Sequence, residues 1–104
     1  MSEIPTRDDF AKHLNTKFRV EIGAEKWLEM ELTEVTEMRR TTRQESFALI
    51  FLAPGDTAPD QRIYQMRHDA LGALEIFLVP VSLDKRGLRF EALFNSLIKG
   101  EDDL

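Results

Sequence analysis

His68 and Asp69 stand side by side in the second half of the chain. A histidine beside a carboxylate can take up a proton near neutral pH and so act as a general base. Neighbouring strand residues point to opposite faces, however, so adjacency in sequence does not make a contact. No Gly-x-Ser-x-Gly turn is present to raise a serine nucleophile. The favoured reading is structural, with His68 at a strand end and bonded to backbone in an Asp69–Gly72 turn. Glu29, Glu31, Glu34 and Glu37 form an acidic run. Paired carboxylates hold cations or do acid–base work. Here Glu29 and Glu31 alternate with apolar residues, which sets them on a solvated strand face beside Lys17 and Arg19.

Two features suit contact with a partner. Arg39, Arg40 and Arg43 cluster in a polar stretch that can grip phosphate, carboxylate or an acidic protein. They lack interleaved aromatics, which argues against nucleic acid. Trp27 is out of phase with Leu28, Met30 and Leu32. It either lies exposed as a contact residue or packs under an N-terminal helix against Phe10. Gly55 and Gly72 fall in no phosphate-binding pattern, and Gly23 and Gly87 read as turn glycines.

The elements carrying these residues belong to a chain of 104 residues with 42% hydrophobic and 32% charged composition. That supports a single domain over 1–104 with its own core, and residues 1–5 and 101–104 are expected to be flexible tails. The absence of Cys excludes a disulfide scaffold, thiolate metal sites and cysteine catalysis. With two His, no metal or other cofactor is expected. A formal net charge of −5 argues against a nucleic-acid binder. The longest strongly apolar stretch, Leu74–Leu83, is too short to span a membrane and contains Glu75 and Pro80. No secretory signal opens the chain, so the expected location is cytoplasmic.

Thr6 and Asp9 have capping-box spacing, and Phe10 and Leu14 share a helical face, which predicts a helix over about 7–14 with both apolar residues buried. Beyond Asn15 the period becomes two. Strands are predicted from Phe18 to Ile22, from Leu28 past Leu32, over 46–52, over 62–68, over 74–83 and from Leu88 to about Leu97. A bulge near Thr33–Glu34 corrects a slip in phase, and Arg39–Gln44 reads as a loop. The fold class is mainly β, with about six antiparallel strands in meander connection forming a small barrel or two-layer sandwich, and one short N-terminal α-helix. The first hairpin should pair Val20 with Leu28 and Phe18 with Met30 around a Gly23–Glu25 turn. The last should pair Leu83 with Leu88 around Asp84–Gly87, with a left-handed Gly87. It should then run on to Val81–Phe90, Val79–Ala92 and Phe77–Phe94, with Pro80 at an edge or bulge.

Six stretches in order carry a family resemblance: Phe18-x-Val20, Leu28-x-Met30-x-Leu32-Thr33-Glu34-Val35, Glu45 to Phe51, Tyr64-x-Met66-x-His68-x-x-Leu71-Gly72, Leu78-Val79-Pro80-Val81, and Gly87-x-x-Phe90-Glu91-Ala92-x-Phe94-Asn95. Over about residues 10–97 the chain resembles a family of small uncharacterised bacterial domains, loosely associated with phage-tail-collar-like proteins. The resemblance implies no catalytic residues and favours an accessory of a fibre- or tail-like assembly.

The strands at 46–52 and 74–83 are apolar on both faces, and one short helix cannot cover both. The expected function is therefore a non-enzymatic protein-interaction or assembly module, binding a protein partner or forming a homo-oligomer. The alternative is a small β-barrel binding an apolar ligand, with Phe47, Phe51, Phe77, Phe90 and Phe94 around a cavity. An enzyme ranks third.

Overall fold

Thr6 opens the helix as its spacing predicts. The Asp9 amide donates to the Thr6 hydroxyl at 3.2 Å, and the Thr6 amide donates to the Asp9 carboxylate at 2.9 Å. These bonds hold the Asp9 carboxyl below the usual carboxylate range. The computed structural model describes residues 5–97, so the expected tails at 1–5 and 101–104 lie, apart from Pro5, outside the described residues.

Helix α1 spans Arg7–Ala11, shorter than predicted. Its last turn tightens into i→i+3 bonds, and Asn15 takes a positive φ of 68°. The Asn15 amide then donates to the Leu32 carbonyl at 2.7 Å, and the Leu32 amide donates to the Thr16 carbonyl at 3.0 Å. The sheet captures the chain before the helix reaches Leu14. Phe10 is fully buried against Phe47 and Phe94, but Leu14 stays 41% exposed, contrary to expectation.

Seven strands follow: β1 Lys17–Gly23, β2 Lys26–Val35, β3 Arg39–Arg40, β4 Gln44–Ala53, β5 Arg62–His68, β6 Gly72–Asp84 and β7 Gly87–Leu97. All pairings are antiparallel. The order β2-β1-β5-β6-β7-β4-β3, closed by β2–β4, makes a six-stranded barrel with β3 appended to β4. The short strand β3 corrects the expected loop at Arg39–Gln44.

The connectivity also departs from a meander. The 54–61 loop leads from β4 to β5, which are not neighbours, because β7 and β6 lie between them. β4 pairs instead with β7 over ten residues, including Phe47–Phe94, Leu49–Ala92, Phe51–Phe90 and Ala53–Leu88. That ladder joins two apolar rows, which alternating β5 cannot match.

The first hairpin has the expected register: Phe18–Met30, Arg19–Glu29 and Val20–Leu28. Its turn is tighter, because Ile22 is bulged and Gly23 pairs with Lys26. Glu25 supplies the positive φ, at 60°. In β2 the extra residue is Thr33, at the expected bulge, between Leu32–Phe51 and Glu34–Ile50.

The last hairpin pairs Leu83 with Leu88 and Ser82 with Arg89 as expected, and Asp84–Gly87 closes to leave Lys85–Arg86 at the tip. Gly87 has φ +143°, and a Cβ there would sit 2.2 Å from the Ala53 carbonyl of β4. Glycine is therefore demanded by close approach as well as by dihedral angle. Beyond Ser82 the expected register fails. Val81 is bulged, so Pro80 pairs with Phe90 and Val79 with Glu91. Pro80 brings no N–H to the ladder, and the sheet breaks register beside it. The shift inverts the expected facing: Ile76 and Leu78 enter the core, while Phe77 and Val81 are 49% exposed.

The core fills the barrel with Phe18, Val20, Met30, Leu32, Leu49, Phe51, Tyr64, Met66, Leu78 and Phe90, and Phe10 closes one end. Phe18 meets Phe51 edge-on at 5.2 Å, and Tyr64 meets Phe90 at 5.8 Å. No helix among the described residues is long and apolar enough to cross a membrane.

Candidate functional site

His68 ends β5 with its ring turned inward and 8% exposed. Nδ1 accepts the amides of Ala70 at 3.0 Å and Leu71 at 3.2 Å, the backbone bonding expected of the turn. An imidazole nitrogen accepting two N–H groups carries no proton, so the neutral ring holds its proton on Nε2. Nε2 lies 3.0 Å from the Thr16 hydroxyl, which itself donates to the His13 carbonyl at 2.6 Å. The ring packs against Phe18 at 4.4 Å and His13 at 4.7 Å. Burial lowers the His68 pKa, the charge of His13 lowers it further, and Asp69 opposes both.

This arrangement has a chemical consequence. A general base must offer a lone pair to the nucleophile it activates. His68 faces Thr16 with a proton instead, and its lone pair is held by backbone. Asp69 faces solvent, with one oxygen 3.9 Å from Arg19. His68, Asp69 and Thr16 do not form a catalytic triad.

Above this niche lies a polar cleft of about 500 Å³ between β1 and β5, walled by Lys17, Arg19, Glu29, Arg67 and Asp69. Arg19 and Arg67 stand directly opposite each other across the β1–β5 ladder. Trp27 lies on the outer face, 42% exposed, with the Arg67 guanidinium 5.7 Å from its ring centroid. Trp27 is therefore exposed and not packed under the helix. Phe47 and Phe94, not Trp27, receive Phe10.

Arg39, Arg40 and Arg43 are all exposed on the β3–β4 hairpin. Arg40 is held by Glu45, with Nη2 at 2.6 Å and Nε at 3.1 Å. Trp27 is near the start of β2 and Arg39 lies past its end. At about 3.3 Å per residue, the strand separates them by more than 20 Å. The structure does not bring the sequence-predicted contact residues into one site. The acidic run also disperses, since Glu29 pairs across from Arg19 and Glu31 from Lys17.

The feature that sequence reasoning missed is an apolar row on the outer wall. Ile63 of β5 pairs with Phe77 of β6, and they are 60% and 49% exposed. Leu93 of β7, 61% exposed, lies two residues past the last β6–β7 pair, at the position that continues to Phe77. Its partner on β4 is Ala48. Ala48 is buried, so the exposed row spans three strands, roughly 10 Å at the usual strand spacing. Its signal in the sequence was the two-sided apolar character of the strand at 74–83.

The five phenylalanines expected around a ligand cavity do not converge. Phe51 and Phe90 are fully buried in the core, and Phe77 is outside. Phe47 and Phe94 stack at 5.0 Å beside a groove of about 290 Å³ with Arg7, Met38 and Glu45.

Neither the curated proteins nor the solved structures include a significant match to the chain. The resemblance read from the strand patterns holds in its coarse form, a small uncharacterised domain. The model of one such family, described as a domain of unknown function (DUF6916), matches residues 5–94, and the chain belongs to that family.

Proposed function

We propose that this domain is a non-enzymatic assembly module that associates with a second copy of itself through the Ile63–Phe77–Leu93 row. The carrying observation is the cross-strand pair Ile63–Phe77, two large apolar side chains 60% and 49% exposed on a wall otherwise edged by Gln65 and Glu75. Clustered apolar exposure of this kind marks an interaction face, whereas single exposed residues do not. The β5–β6 ladder is unbroken from Arg62–Leu78 to His68–Gly72, so no free edge runs between Ile63 and Phe77, and a partner covering that pair packs face-on. Every copy displays the same row, and identical rows packed face-on close into a two-fold dimer. A role in a fibre- or tail-like assembly would need a second, different contact face.

Light scattering coupled to size exclusion tests this reading. The expected mass is a dimer that Phe77→Asp and Ile63→Asp each convert to monomer without loss of fold. A monomer mass over the whole accessible concentration range would overturn it. The ligand-binding alternative retains one support, the groove beside Phe47 and Phe94. Its volume of about 290 Å³ falls at the bottom of the usual range for small-molecule pockets, which favours the assembly reading.

A further inference from the structure

The cleft between β1 and β5 carries an arrangement that assembly through the apolar row does not use. On one side of β1, each cation faces an acid: Arg19 opposes Glu29 and Lys17 opposes Glu31. On the other side, Arg19 opposes Arg67. Directly opposed residues of an antiparallel pair share a face with Cβ atoms about 4.5–5.5 Å apart, and like charges there are destabilising. The chain has 19 acidic and 14 basic residues, so two arginines at one cross-strand position are not imposed by a shortage of acids.

The two guanidinium groups are only weakly compensated. Among the described residues Arg19 has one ion pair, at 3.9 Å, to an Asp69 carboxylate that is fully exposed. Arg67 forms no ion pair among the described residues and rests over the Trp27 ring. A cation stacked on a ring face keeps the edge of its planar fork free for hydrogen bonding. Lys17, two residues before Arg19 on the same strand, also lines the cleft, as does the acid Glu29. The neutral His68 ring and the Thr16 hydroxyl on the cleft floor already have partners and add no charge.

We propose that this cleft binds an oxyanion group, a carboxylate or a phosphate, between the guanidinium groups of Arg19 and Arg67. An oxyanion placed there accepts charge-assisted bonds from both forks and turns a repulsive pair into a bridged one. The site depends on neither the apolar row nor the dimer.

Trp27 is the sole tryptophan and carries Arg67 on its ring, so its emission reports the site. The full chain is titrated with inorganic phosphate and, separately, with acetate, against sodium chloride at matched ionic strength. The expected result is a saturable change at millimolar anion that chloride does not produce. Arg19→Gln should weaken it at least tenfold, while Arg39→Gln leaves it unchanged. Arg19→Gln is the decisive variant, because it leaves the Arg67–Trp27 reporter in place. It also removes a like-charge contact, so the fold should survive. Anion-dependent thermal stabilisation, lost in Arg67→Gln, gives a readout independent of the indole. A response to phosphate alone identifies a phosphate ligand, and a response to acetate alone identifies a carboxylate. No response to either anion beyond chloride, or an undiminished response in Arg19→Gln, would overturn the proposal.

Discussion

The buried His68 makes folding stability sensitive to mild acid. Protonation would place a hydrogen on Nδ1, where the amides of Ala70 and Leu71 already point their own hydrogens at 3.0 and 3.2 Å. The charged ring must give up both bonds or turn the 69–71 segment away. At about 0.5–1.5 kcal/mol for a typical hydrogen bond, losing the pair costs about 1–3 kcal/mol. The charged groups around the ring do not offset this. His13 from the turn after α1 adds like charge, Arg19 and Lys17 of β1 and Arg67 of β5 line the same cleft, and Asp69 and Glu29 are the acids facing them. The folded-state pKa of His68 is lowered by burial first and by His13 second.

The sign follows from linkage. An unfolded histidine titrates near pH 6.5, and folded His68 titrates lower. Above about pH 6.5 both states are neutral, and the full contribution is present. As the pH falls below that value the unfolded chain takes up the proton first, and stability drops until the folded-state pKa is passed. The slope cannot exceed about 1.4 kcal/mol per pH unit for one proton. Urea unfolding at pH 7 and pH 5 measures the loss. His68→Asn keeps an acceptor for the backbone amides and does not titrate, so it should flatten the dependence, while His13→Gln should leave most of it. Equal pH slopes in the parent and in His68→Asn would refute the reasoning.

Three other outcomes are expected. Phe10→Ala should cost about 3–5 kcal/mol in urea unfolding, because Phe10 is fully buried and packs against both Phe47 and Phe94. Leu14→Ala should cost less than about 1 kcal/mol, since the side chain stays 41% exposed. Gly87→Ala should cost at least about 1–2 kcal/mol in thermal unfolding, combining a positive φ with a Cβ 2.2 Å from the Ala53 carbonyl.

Local rules carried the fold wherever one strand or one turn decided the outcome. Thr6 and Asp9 announce the helix start, Val20 and Leu28 the first register, and Thr33 the bulge. They failed where two elements compete. Leu14 has helical spacing from Phe10, yet Asn15 bonds to Leu32, far away in sequence, and the helix stops. The pairing of β4 with β7 depends on matching apolar rows some forty residues apart, which no local pattern displays. The candidate sites were less legible still. Arg39, Arg40 and Arg43 stood out by clustering, whereas Arg19 and Arg67 are unremarkable in the sequence and meet only because β1 pairs with β5.

Val81 shows how closely fold and surface are linked. β6 is apolar at consecutive positions from Ile76 to Val79, so either alternating set could face inward. The β5–β6 ladder sets Ile76 beside Tyr64 and Leu74 beside Met66, which commits the even-numbered positions to the core. The β6–β7 turn fixes Leu83 against Leu88, and without a bulge that register would send Val79 and Phe77 inward. The two demands differ by one residue, and the extra residue is taken up at Val81, next to the proline that cannot extend the ladder. Phe77 is thereby left outside, opposite Ile63. A strand with alternating polarity would have hidden its apolar set and exposed a polar one. The apolar character of both faces is superfluous for filling the barrel, and its consequence is the exposed row to which the assembly role is assigned.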